Sequence, residues 1–181
     1  MLLKIVSPRI VKWTVLSALF FASASVSAQR RNGYVGLDAG VYFLKPHDPA
    51  VGVHFSGNIE LVNALFFGPE IGVVKFDHLK KPYLPLLARF SIMPALQSRK
   101  ASALIVLAPG YGLHDETYRR GNNWFNSKGG FAFYGGAGAV IPGKKRGSLA
   151  ITIGYTSFGF RVNGFKSNID GVGLRLGAMI R

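Results

Sequence analysis

From Tyr34 onward the sequence alternates apolar residues with polar or small ones at period two. Val35, Leu37, Ala39, Val41 and Phe43 interleave with Gly36, Asp38, Gly40 and Tyr42. The same rhythm closes the chain, where Val172, Leu174, Leu176, Ala178 and Ile180 alternate with Gly171, Gly173, Arg175, Gly177 and Met179. Successive side chains of a β-strand point to opposite faces, so each run predicts a strand with one apolar face and one small or polar face. Six further strands are predicted near Ala50 to Val62, Leu65 to Phe76, Tyr83 to Met93, Ala101 to Leu113, Gly130 to Ile141 and Ser148 to Phe160. Each is about ten residues or slightly longer, the length a tilted strand needs to cross a bilayer. No apolar run in this part of the chain reaches about 18 residues, which excludes an ordinary transmembrane helix.

Several strand faces are apolar without interruption. Val51, Val53, Phe55, Ile59 and Leu61 share one face, as do Leu84, Leu86, Ala88, Phe90 and Ile92, while the opposite faces carry His54, Ser56, Asn58, Glu60, Arg89 and Ser91. Periodicity alone does not say which face is inside. Glycine-rich polar faces and an export signal favour a barrel with its apolar face toward lipid. The opposite economy, apolar inside and charged outside, belongs to a soluble sandwich or barrel. Connections are expected to alternate in length. Val62 to Ala64, Pro94 to Lys100 and Pro142 to Gly147 are predicted as short periplasmic turns, and Lys45 to Pro49, Asp77 to Pro82, His114 to Lys128 and Arg161 to Asn168 as external loops. Pro69, Pro85 and Pro109 each remove a ladder donor inside a proposed strand, which predicts bulges or shifted boundaries there.

The amino end adds a second signal. Met1 to Ala28 has the three parts of a secretory signal peptide: Lys4, Arg9 and Lys12, then an apolar run from Trp13 to Ala22, then Ser25, Val26, Ser27 and Ala28 ahead of a cleavage point before Gln29. The run is about half the length of a spanning helix, so cleavage is expected, with an uncleaved anchor as the alternative. Residues 29–181 then form one domain, with no linker and no repeat beyond the strand rhythm. The whole chain carries a formal charge of +14 from 22 basic and eight acidic residues. Removing the three basic residues of the signal leaves 19 against eight, or +11. An exported protein does not meet nucleic acid, so the surplus points to an anionic lipid or lipopolysaccharide surface. With no cysteine, disulfides, thiolate metal sites and a lipid-anchored amino-terminal cysteine are all excluded.

Some stretches go beyond periodicity. Tyr83-Leu84-Pro85-Leu86-Leu87-Ala88-Arg89-Phe90, followed by a short basic turn and Ala108-Pro109-Gly110-Tyr111-Gly112, resembles the small outer-membrane-protein β-barrel domain family. So do Phe131 to Ile141, a basic turn, Leu149 to Tyr155 and the closing Gly171 to Gly177, and the resemblance covers about Tyr34 to Arg181. The closing Met179-Ile180-Arg181 departs from the aromatic end of many such barrels. The resemblance implies an all-β, antiparallel up-and-down transmembrane barrel of about eight strands in a Gram-negative outer membrane. It also implies the barrel-insertion machinery as a partner during assembly. Its motifs are glycine-aromatic strand patterns, which speak to fold and not to activity.

Four groups of candidate residues follow. Asp38, Glu60, Glu70, Arg89 and Arg175 fall on the faces assigned to the interior, where buried charges need partners; a lumen network is expected, with a proton or ion path as the alternative. Tyr118, Arg119, Arg120, Trp124, Phe125 and Lys128 make the longest predicted loop aromatic and basic. It fits a surface-recognition loop or a clamp on lipopolysaccharide phosphates, against the ordinary reading of girdle and anchor residues. His54 and Ser56 share a strand face that Glu60 continues, and the pair faintly resembles the histidine-x-serine pair of outer-membrane lipid A deacylases. Alternate strand positions align by geometry alone, so lumen packing is the ordinary reading. His47, His54, His78 and His114 are scattered, although His47-Asp48 and His114-Asp115 would both be external; no metal or other cofactor is expected. The leading function is a non-enzymatic outer-membrane barrel acting through its external loops. A lipid A-modifying hydrolase, a narrow solute pore and a secreted soluble barrel carrying an apolar ligand stand beside it.

Overall fold

The period-two segments fold as nine strand segments: β1 (Gly33–Lys45), β2 (Ala50–Val62), β3 (Leu65–Lys75), β4 (Leu84–Ile92), β5 (Ser102–Leu113), β6 (Asp115–Arg120), β7 (Asn123–Pro142), β8 (Gly147–Val162) and β9 (Phe165–Ile180). The computed structural model describes residues 33–45, 49–94, 101–120, 123–143 and 146–181, so the predicted signal peptide, Met1 to Ala28, lies outside the described residues. Every pairing is antiparallel; strands adjacent in sequence pair, save β5 and β6, β5 pairs with β7, and the sheet closes on itself where β1 meets β9. β5 and β6 are one stave interrupted at His114, and both pair with β7. The result is an eight-stranded up-and-down barrel, which has no free edge along its closed part.

Inside and outside follow the pleat. Leu37, Val41, Phe43, Val51, Val53, Ile105, Leu107, Ile151, Ile153, Leu174 and Leu176 face outward and are exposed, whereas Asp38, His54, Ser56, Asn58, Glu70, Arg89, Ser91 and Arg175 face inward and are buried. That distribution is the reverse of a soluble barrel that carries an apolar ligand, and it rules out the inverted reading of the pattern.

The expected bulges do not fall at the prolines. Register runs unchanged past all three, and pairing instead lapses on one side while it persists on the other. Pro69 keeps its partner Ala88 on β4 but has none on β2. Pro109 keeps Phe133 on β7 and has none on β4. Pro85 keeps Gly112 on β5, while on the β3 side pairs stop at Ile71–Leu86 and resume at Val74–Tyr83. A strand residue points its N–H to one neighbour, so a proline costs one ladder bond on one side. The irregularities lie elsewhere, between Glu60 and Val62 and between Gly129 and Ala132.

Two predicted external loops are also corrected. His114 to Lys128 is not a loop: β6 and the start of β7 form a hairpin in register from Asp115–Lys128 to Arg120–Asn123. Arg161 to Asn168 is likewise strand, with β8 and β9 paired up to Val162–Phe165 around the two-residue turn Asn163-Gly164. Asn163 has φ 50 and Gly164 φ 88, the positive pair of a type I′ turn, whose twist matches that of the strands it joins. Asn163 exchanges bonds with Asn126: its N–H donates to the Asn126 carbonyl at 2.9 Å, and its Oδ1 accepts from the Asn126 N–H at 2.9 Å. Strands β6 to β9 therefore rise as one sheet past the last β1–β9 pair, Lys45–Asp170.

Candidate functional site: the closed lumen and the hairpin end

The inward faces of β1, β3, β4 and β9 bring four charges to one level of the lumen. Arg89 Nη1 donates to Asp38 Oδ2 at 2.6 Å and to Glu70 Oε2 at 3.0 Å, and Arg175 Nη1 donates to Glu70 Oε1 at 2.7 Å. Two carboxylates meet two guanidiniums, so the layer is neutral, as buried charge must be. The arginines are braced further. Arg89 Nε donates to Ser91 Oγ at 3.2 Å, Tyr34 donates to the same hydroxyl at 3.0 Å, and Arg175 lies over the Tyr134 ring at 3.7 Å from its centroid.

His54 adjoins this layer and is occupied by it. Its Nε2 contacts the Tyr42 hydroxyl at 2.5 Å, and its Nδ1 lies 3.1 Å from Glu70 Oε1, within ion-pair distance but without hydrogen-bond alignment. Ser56, two residues on, is buried with its hydroxyl unpartnered. Histidine and serine thus share a face with no hydrogen bond between them, and both point away from lipid. Glu60 stands apart from the network. It sits half-buried near the β2–β3 turn, where its Oε1 accepts from the Ala64 N–H at 3.2 Å.

Interior glycines make this layer possible. A methyl group at Gly177 would overlap Asp38 Oδ1, and one at Gly72 would overlap the His54 ring. Above the charged layer the lumen fills with rings. Phe76 meets Phe158 edge-on at 5.2 Å, Tyr83 meets Phe160 at 5.0 Å and His114 meets Phe160 at 5.5 Å. Tyr83 donates to the Gly130 and Gly159 carbonyls at 3.3 Å each, which ties this plug to the β7 and β8 walls. Below the layer, Tyr34 and Phe66 meet at 5.5 Å beside buried Met93, Leu104, Val106, Val140 and Met179.

No family model and no curated protein matches this chain. Solved structures do. Neisserial surface protein A (NspA) superposes with a TM-score of 0.60 at 15% identity, over 82% of this chain and 96% of that one. The N-terminal β-barrel domain of Pseudomonas aeruginosa OprF does so with a TM-score of 0.53 at 10% identity, over 82% of this chain and 99% of that one. The fold is that of the small eight-stranded outer-membrane β-barrels.

In this barrel the start of β1, the end of β9 and the short β2–β3 turn lie at one end, since Val35 pairs with Ile180. The extended hairpins lie at the other. The predicted loop residues fall on the β6–β7 hairpin, where Arg119 stands opposite Trp124, Tyr118 opposite Phe125 and Lys128 opposite Asp115. Lys128 is exposed. Glu116 turns inward and accepts from the Lys80 N–H at 3.1 Å and the Lys81 N–H at 3.1 Å, which fastens the Asp77 to Pro82 segment against β6. His114 is buried, with Nδ1 at 3.3 Å from the Pro82 carbonyl; His47 and Asp48, the other half of the predicted external pair of motifs, lie outside the described residues. Among the described residues no three histidine or acidic side chains cluster as a metal site would require.

Sequence reasoning did not assign Tyr34, Tyr42, Ser91 and Tyr134 to the charged layer. The signal was available, because all four share the inward parity of their strands. What parity does not give is height within the lumen, which depends on the stagger of the closed sheet.

Proposed function

We propose that the protein is a non-enzymatic β-barrel of a Gram-negative outer membrane, held there by its apolar wall and acting at the cell surface through its extended hairpins. The observation that carries this reading is the pairing of an apolar outer wall with a lumen sealed by a neutral charge layer and a ring plug. Nothing in the lumen is presented to lipid, and His54 and Ser56 are not linked, which speaks against a lipid-modifying hydrolase. A side-chain-filled lumen speaks equally against a pore. In single-chain barrels short turns face the periplasm and longer connections the outside, so the hairpin end is the external one. There Arg119, Arg120, Trp124, Phe125 and Lys128 are the contact residues, toward lipopolysaccharide and the surroundings. The barrel-insertion machinery is the partner during assembly.

The experiment uses the absence of cysteine. Phe165, 80% exposed at the β8–β9 tip, is replaced in Phe165→Cys and intact cells are treated with a membrane-impermeant maleimide. Labelling of an outer-membrane band that shifts on boiling is expected. Labelling only after lysis, or a soluble band, overturns the reading. Reconstituted protein is expected to leave planar bilayers silent, and steady conductance steps would restore the pore.

A further inference from the structure

We propose that Lys128, Arg161 and Lys166 form a lateral clamp for lipopolysaccharide phosphates on the lipid-facing side of the extended hairpins. The proposal rests on the outer-membrane reading above and adds to it a site and the chemical group bound there. Lys128 on β7 stands directly opposite Arg161 on β8, and Arg161 stands directly opposite Lys166 on β9. Three cations from three consecutive strands thus occupy one row. The β8–β9 register is unbroken, so Arg161 shares the face of Ile151, Ile153 and Tyr155, and Lys166 that of Val172, Leu174 and Leu176. All three cations are exposed.

Such a row has no structural reason in the barrel itself. Like charges placed directly opposite each other destabilise a sheet, and here two such pairings follow in succession. Adjacent strands lie about 4.8 Å apart, so the row spans only about 10 Å. Among the described residues no carboxylate lies within ion-pair distance of any of the three. Asp115 faces Lys128 from β6 at one end of the row, and Asp170, further down β9, stands opposite Lys45 and not opposite the row. One acid against three bases leaves the row cationic.

A second, independent observation is what lies beneath it on the same outer face. Phe131 and Tyr155 are exposed there, with the Phe133 and Tyr155 rings 6.3 Å apart, and Tyr111 stands opposite Phe131. Below these aromatics come Ile151, Ile153, Leu174 and Leu176. On β9 Asp170 and Asn168 stand between Val172 and Lys166, while outward along β7 and β8 the order is aliphatic, aromatic, cationic. That is the order of a membrane lipid from acyl chain through interface to phosphate. Lipopolysaccharide forms the outer leaflet of a Gram-negative outer membrane and carries phosphates just above its acyl chains. A guanidinium between two ammonium groups suits phosphate oxygens, and the anion removes the repulsion that the row otherwise carries.

The test measures binding of bis-phosphorylated lipid A to the full barrel in detergent, by lipid-induced protection from thermal unfolding. The variant K128Q/R161Q/K166Q is expected to keep the boiling shift and to bind about tenfold more weakly, with K128R/K166R retaining wild-type affinity. If the triple variant loses the boiling shift, R161Q alone is measured and the same direction is expected. Monophosphorylated lipid A is expected to protect less, and phosphatidylglycerol still less. Equal protection of wild type and variant by lipid A overturns the clamp, as does equal protection by phosphatidylglycerol, which would make the row a general anionic-surface contact. Surface labelling at position 165 is scored separately, so a buried or periplasmic hairpin end would indicate failure of the membrane reading and not of the clamp.

Discussion

Glu70 on β3 and Arg175 on β9 lie 105 positions apart in the chain, and their ion pair at 2.7 Å spans the lumen. Glu70 also takes Arg89 through its other oxygen, so a single carboxylate joins the arginines of β4 and β9. Among the described residues, Asp38 pairs with Arg89 alone.

That asymmetry orders the cost of removal. Glu70→Gln leaves Arg175 buried without a carboxylate and is expected to destabilise the barrel by about 3–5 kcal/mol. Arg175→Met leaves Glu70 still paired with Arg89 and is expected to cost less. Urea unfolding in lipid vesicles reads both; an equal cost, or a larger one for Arg175→Met, would show that the layer does not work through Glu70.

Close approach gives a second prediction. Gly177→Ala puts a methyl group onto Asp38 Oδ1, and Gly112→Ala puts one into the Tyr83 ring. Each is expected to cost about 1–3 kcal/mol through overpacking. By contrast Gly147→Ala meets open space and is expected to leave the unfolding midpoint nearly unchanged.

A gain is expected at the β2–β3 turn. Ala64 adopts φ 70, a conformation that suits glycine and strains a residue with a β-carbon. Ala64→Gly should stabilise by about 1 kcal/mol, measured in the same unfolding assay. A loss would mean that the Ala64 backbone is not the strained element.

The outer wall predicts a position-dependent cost for charge. Leu174→Lys, in the middle of the apolar band, should cost about 2–4 kcal/mol, whereas Phe165→Lys at the exposed tip should cost about 1 kcal/mol or less. Equal costs would contradict a lipid boundary between the two.

Much of this architecture was legible because the information is local. Period two in β1 and β9 is set by the pleat of each strand, and so were the apolar outer face and the inward parity of Asp38, Glu70, Arg89 and Arg175. The hairpins were less legible. Above the level of the acyl chains a strand has no hydrocarbon to face, so Asp115 to Arg120 and Phe165 to Asn168 show no apolar alternation and read as loop. Asn163-Gly164 nevertheless carried a turn signal by itself.

The sequence by itself determined that strands long enough to cross a bilayer would alternate an apolar face with a glycine-rich polar one, in a chain without cysteine. Only the tertiary structure decided which charges meet. Closure and stagger of the sheet, not parity, bring Glu70 between Arg89 and Arg175, leave Glu60 at a turn, and align Lys128, Arg161 and Lys166 in one row. Strand periodicity depends on neighbours two residues away, whereas register between strands depends on the whole circumference of the barrel.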